Sequence, residues 1–114
     1  MNIFKELKKV FTTLEIPMET VSFTQPPPDD YVVLVPLVDT SELHADNKPT
    51  YETQEVRISL FTKQNYLQLK YKILHSLLAL DFYITDKRYL GFDAESGYHH
   101  YAIDVAKFYE LEDF

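Results

Sequence analysis

The chain has 114 residues, 46% of them hydrophobic and 25% charged, with no cysteine and a formal net charge of −7. This is the composition of a folding chain of ordinary single-domain size, and it excludes a disulfide framework, a thiolate nucleophile and a thiolate zinc site. With 18 acidic against 11 basic residues the chain repels a phosphate backbone, which argues against nucleic-acid binding, and no apolar run approaches the roughly 18 residues that span a membrane.

Nine Tyr and eight Phe stand beside only two Gly and no Trp. Tyrosine combines a large contact area with a polar tip, which suits half-buried surfaces and interfaces. The expectation is a single domain over residues 1–114, with Phe in the core and Tyr at its rim or facing a partner. The lack of cysteine and of a leader-like opening points to a chain made and used in the cytoplasm.

In chain order, residues 2–15, "NIFKELKKVFTTLE", place Ile3, Phe4, Leu7, Val10, Phe11 and Leu14 at helical spacing, with charge opposite. Pro17 ends this helix, and a short extended segment follows near 18–23. The "QPPPDD" run removes three backbone donors and reads as a rigid connector. "YVVLVPLV", residues 31–38, is β-branched enough to be a strand, with Pro36 marking a sheet edge or the end of regular pairing. Residues 39–50 are polar and read as a long loop, of the size that tends to be functional. Residues 51–62, "YETQEVRISLFT", then alternate as a half-buried strand does, Val56, Ile58 and Leu60 on one face.

From Asn65, a candidate N-cap, the period becomes helical over 65–80. Tyr66, Leu69, Ile73, Leu77 and Leu80 form one stripe, with Leu67, Leu74 and Leu78 beside it. Residues 82–110 read as a hairpin around "DAESG", in which Gly97 supplies the positive φ of the turn. The sum is an α+β fold: a mostly antiparallel sheet of four to five strands packed against two helices.

No constellation carries chemistry. His99 and His100 are strand neighbours whose side chains point to opposite faces, and His44 and His75 lack metal-ligand spacing. There is no G-x-S-x-G elbow, and two glycines cannot build a phosphate loop. Carboxylate pairs such as Glu42 with Asp46, or Asp93 with Glu95, fall in expected loops where solvent keeps their acidity normal. The expectation is a binding protein that is no enzyme and needs no cofactor or metal.

Residues 41–62, "SELHADNKPTYETQEVRISLFT", the helix after them and the "YITDKRYLGF…YHHYAIDV" hairpin resemble small tail proteins of prophages and tailed phages of Gram-positive hosts. The likeness rests on "ADN" at Ala45–Asn47, on Tyr51, on the strand ending in "LFTK" and on the aromatic hairpin, across residues 31–110. Where that family tends to a Glu-rich last hairpin, this chain has Tyr98, His99, His100 and Tyr101.

The resemblance implies a tail-completion, or tail-terminator, protein that joins head to tail. Its implied partners are other copies of itself in a ring such as a hexamer, the tail tube protein and the head connector protein. It further implies host cytoplasm during assembly and the tail or neck of the virion afterwards. A head-closure or neck adaptor and a monomeric cytoplasmic interaction module are the alternatives. Candidate interaction residues are Glu42, Leu43, His44, Ala45, Asp46, Asn47, Lys48 and Tyr51, on a loop anchored by the strand that follows. An acidic ring wall would let DNA pass without sticking.

Overall fold

A computed structural model describes residues 2–20, 27–43 and 49–110; for residues 38–43, 49 and 50 the backbone alone is described. The elements in order are α1 (Ile3–Thr13), β1 (Met18–Glu19), β2 (Asp30–Leu43), β3 (Pro49–Thr62), α2 (Tyr66–Ala79), β4 (Tyr83–Phe92) and β5 (His99–Glu110). The strands form one sheet in the order β1-β2-β3-β5-β4. Its long pairings are antiparallel and only the two-residue β1 runs parallel to its neighbour. The fold is therefore α+β, two helices against a largely antiparallel five-stranded sheet.

Both helices start on an asparagine cap. The Asn2 side chain accepts from the Lys5 backbone N–H at 2.9 Å, and that of Asn65 accepts from Leu67 at 3.0 Å. Leu14 and Leu80 close the C-terminal ends, and Glu15 and Asp81 just beyond take the left-handed conformation, φ 59° and 65°. The core lies between the helices and one face of the sheet. Ile3, Leu7 and Phe11 of α1 and Ile73 and Leu77 of α2 meet Val32, Leu34, Val56, Ile58, Leu60, Ile103 and Val105.

β3 lies at the centre. It pairs with β2 from Thr62 to Pro49 and with β5 from Thr62 to Tyr51. The stretch expected to be a loop over residues 39–50 is thereby corrected. β2 runs on to Leu43 and β3 starts at Pro49, with Asp39 to Leu43 paired against Gln54 to Pro49. A ladder is held by backbone groups, so polar side chains do not end it once the neighbouring register is fixed. The strands leave residues 44–48 between them, which lie outside the described residues.

β2 continues past Pro36, which stands, as expected, at a sheet edge and a break in regular pairing. The register shifts at Leu37 by a bulge and pairing resumes at Val38, while β1 covers the outer edge of β2 only at Val32 and Val33. The short segment expected near 18–23 is strand at Met18–Glu19, and residues 21–26 lie outside the described residues.

The hairpin of β4 and β5 turns through Asp93–Tyr98. The Asp93 carboxylate accepts from the Glu95 N–H and the Ser96 hydroxyl, and Gly97, at φ +81°, donates to the Asp93 carbonyl at 2.7 Å. A side chain at residue 97 would find space but a strained backbone.

The α2 stripe divides. Ile73 and Leu77 are buried, and Tyr66, Leu69 and Leu74 are half-buried, while Leu67, Leu78 and Leu80 are exposed. Leu80 leaves the stripe because it is the C-cap residue, no longer on the helical phase. Replacing Leu77, which is 0% exposed, by Ala should destabilise the fold by about 2–5 kcal/mol, and Leu74→Ala by less. Leu78→Ala, at a position 61% exposed, should stay within about 0.5 kcal/mol of the parent. Urea unfolding of the three variants checks the ranking.

Candidate assembly surfaces

Alternation along the strands turns every second residue away from the helices. By register this bare face carries successive rows: Tyr31–Phe61–His100, Val33–Ser59–Ala102, Val35–Arg57–Asp104, Glu55–Ala106–Tyr83, Thr53–Phe108, and Tyr51–Glu110 at the far end. Neither helix covers it. Its middle is nonetheless tight, because Ser59, Ala102, Asp104 and Ala106 are small or short and lie beneath longer neighbours.

One ion pair holds this face together. Arg57 donates from Nε to Asp104 Oδ1 at 2.8 Å and from Nη2 to Oδ2 at 3.1 Å, a two-pronged bond between β3 and β5. The hydrogen bonds raise the Arg57 guanidinium above its ordinary range. Beside it the Thr85 hydroxyl donates to Glu55 at 2.9 Å, tying the β4 edge to the central strand.

Aromatic rings close one end of the face. Tyr31 stacks on Phe61, with centroids 4.9 Å apart, and Phe61 stacks on His100 at 4.2 Å, so one column crosses three strands. Tyr98 meets Tyr31 edge-on at 5.5 Å and donates its hydroxyl to the Pro28 carbonyl at 2.6 Å, anchoring the proline connector to the hairpin turn. A cleft of about 540 Å³ opens here, bounded on its far side by Leu90 and Phe92. His100 Nε2 is buried with no hydrogen-bond partner among the described residues. Burial, then the positive charge of Arg57, pushes this imidazole below its ordinary range. His99 points to the opposite side, between Tyr66, Tyr89 and Phe92, with Nδ1 2.9 Å from the Tyr89 hydroxyl.

At the other end the sheet runs past the helices as a three-stranded ledge of β2, β3 and β5. The Gln54 side chain accepts from the Ile3 N–H at 2.9 Å, and Glu6 of α1 accepts from the Tyr109 hydroxyl at 2.9 Å and pairs with Lys107 at 2.8 Å. Burial, then the bond to Glu6, raises the Tyr109 phenol far above its ordinary range and keeps it neutral. These contacts fix α1 against the root of the ledge.

Of the eight candidate interaction residues, the structure places three on this ledge. Glu42 lies opposite Tyr51 in the ladder, Tyr51 is opposite Glu110 on the other side, and Leu43 pairs with Pro49. Tyr51 is exposed. His44, Ala45, Asp46, Asn47 and Lys48 lie outside the described residues.

The sequence reading missed two surfaces. One is the bare face, whose signal was available in Tyr31, Phe61, Arg57 and Asp104, all on the polar phase of alternating strands. The other is the flank of α2, where Leu67, Tyr71, Leu74 and Leu78 follow one another at helical spacing, Leu74 at the core margin and the other three exposed.

Charge is also more segregated than expected from the scattered basic residues. α1 and α2 hold five lysines, Lys5, Lys8, Lys9, Lys70 and Lys72, against one acid, Glu6, so the helices carry +4 and the rest of the chain −11. Folding gathers lysines that lie some sixty residues apart in sequence onto one layer. Among the described residues no group of three His, Asp or Glu side chains is placed to hold a metal ion. No helix among them is long and apolar enough to cross a membrane. No protein-family model matches the chain, and no curated protein matches it.

The depressed His100 has a pH consequence. Its folded pKa lies below the unfolded one, so the native state binds fewer protons and stability falls as pH drops through about 6.5 and below. Thermal melts between pH 7.5 and 5 should show a larger loss for the parent than for His100→Phe. Identical slopes would mean that the imidazole protonates freely in the folded chain.

Proposed function

We propose that this chain is a structural subunit of a tailed-phage particle, which caps the tail tube and takes part in head–tail joining as an oligomeric ring. It acts through shape and contact and transforms no substrate. The observation that carries the reading is the placement of exposed large apolar side chains on separate surfaces of one small domain: Tyr71 and Leu78 on α2, Tyr83 and Phe108 on the bare face, and Tyr51 on the ledge. A subunit that must touch two like neighbours and two unlike ones, above and below, needs several such surfaces. The family resemblance of residues 31–110 supports the same assignment.

In this reading the ledge, with Glu42, Leu43 and Tyr51, docks on the tail tube protein or the head connector protein. β3 supplies the rigid mount, since it is paired on both sides up to Tyr51. The acidic balance outside the helices fits a ring through which DNA passes without adhering.

Deleting the gene from the phage should give filled heads with unjoined or overlong tails, restored by the parent gene supplied in trans. Immunogold labelling should place the chain at the top of the tail. Heads that leak DNA would instead assign it to head closure. Absence from assembled particles, with a monomer at every concentration in light scattering, would overturn the assembly role.

A further inference from the structure

Along the flank of α2 formed by Leu67, Tyr71, Leu74 and Leu78, Leu74 packs inward against the core, while Leu67, Tyr71 and Leu78 are 43%, 58% and 61% exposed. Leu67, Tyr71, Leu74 and Leu78 are spaced four, three and four apart, so they align on one side of the helix, as the seam of a packed helix does. α2 also carries Lys70 and Lys72 and no acid. Two copies packed α2 against α2 would bring their Lys70 side chains, which border the flank, near each other with no acid on either helix to offset them, so this flank does not favour itself.

The bare sheet face is the complement. Its strongest apolar group is the pair Tyr83 and Phe108, edge to face at 5.5 Å and 58% and 54% exposed. Around it the face carries Glu55, Asp86, Asp104 and Glu110 against Arg57 and Arg88, a net −2. A sheet with helices on one side only is stably completed by a helical layer on the other.

Sheet edges offer less. β4 has register shifts at two places and Asp86, Lys87 and Arg88 in its middle, and the outer edge of β2 has Pro36 and a bulge, the devices that discourage strand-to-strand pairing. Contact through faces is favoured over contact through edges.

We propose that the α2 flank of one copy is covered by the bare face of a second copy around Tyr83 and Phe108. The inference rests on the ring reading and names the contact that builds the ring. The two patches lie on different sides of the sheet, so the contact is head-to-tail and each subunit uses one patch on each of two neighbours. Repetition then closes a ring or extends a filament.

Because the chain has no cysteine, single thiols report this contact cleanly. Leu78→Cys and Phe108→Cys are made in separate proteins at exposed positions and mixed at high concentration, or on tail tubes, under mild oxidation. A disulfide-linked pair should form in the mixture and be absent from either variant alone. Leu78→Asp, whose thermal midpoint should match the parent, should weaken self-association about tenfold or more in sedimentation. Assembly without the mixed disulfide, or a Leu78→Cys protein that links to itself, overturns the proposed contact and leaves the ring reading standing. No association in solution or on tails overturns both.

Discussion

Everything in this molecule is hung on β3 being paired along both edges from Tyr51 to Thr62. A central strand held by two ladders cannot slip by one residue without turning Val56, Ile58 and Leu60 out to solvent and Glu55, Arg57 and Ser59 into the core. That register decides which side chains meet α1 and α2. It also decides which ones are left on the side the helices never reach.

From this follows the contrast between the two faces. The helix side is a closed apolar cluster, with polar contacts confined to its margins, where Gln54, Glu6, Lys107 and Tyr109 secure α1. Among the described residues the bare side has no second layer, and it is stabilised laterally: an Arg57–Asp104 fork in the middle and a Tyr31–Phe61–His100 column at one end. Lateral ion pairs and ring stacks hold a face in shape while leaving its outer surface able to meet another protein. A fully apolar bare face would have buried itself by collapse or aggregation.

The parts of this architecture with strong local signals were legible in the sequence. Asn65 announces a helix start, Gly97 announces the last turn, and Val56, Ile58 and Leu60 announce a half-buried strand. Hydropathy failed at Asp39 to Leu43, because those residues owe their strand geometry to the neighbouring ladder. It also failed to divide the leucines of α2. Leu77 and Leu78 are adjacent and chemically identical, yet one is sealed in the core and the other exposed, and only the direction from which the sheet approaches separates them. Of the candidate site, Tyr51 was legible as the start of a strand, whereas Glu42 and Leu43 read as loop and are strand; the bare face left a signal strand by strand, but its members come from β2, β3, β4 and β5 and only pairing brings them together.

Charge follows the same logic of placement. Lys5, Lys8 and Lys9 belong to the first helix and Lys70 and Lys72 to the second, and both helices pack on the same face of the sheet. An overall charge of −7 therefore conceals a basic helical layer, +4, on one side of the sheet and a bare face of net −2 on the other. Like layers of such a subunit repel and unlike layers attract, over a range of about 8–10 Å at ordinary ionic strength. Polarity of this kind favours stacking in one sense over face-to-face dimers. A subunit with one sense of stacking can form a ring, provided the turn from copy to copy closes on itself.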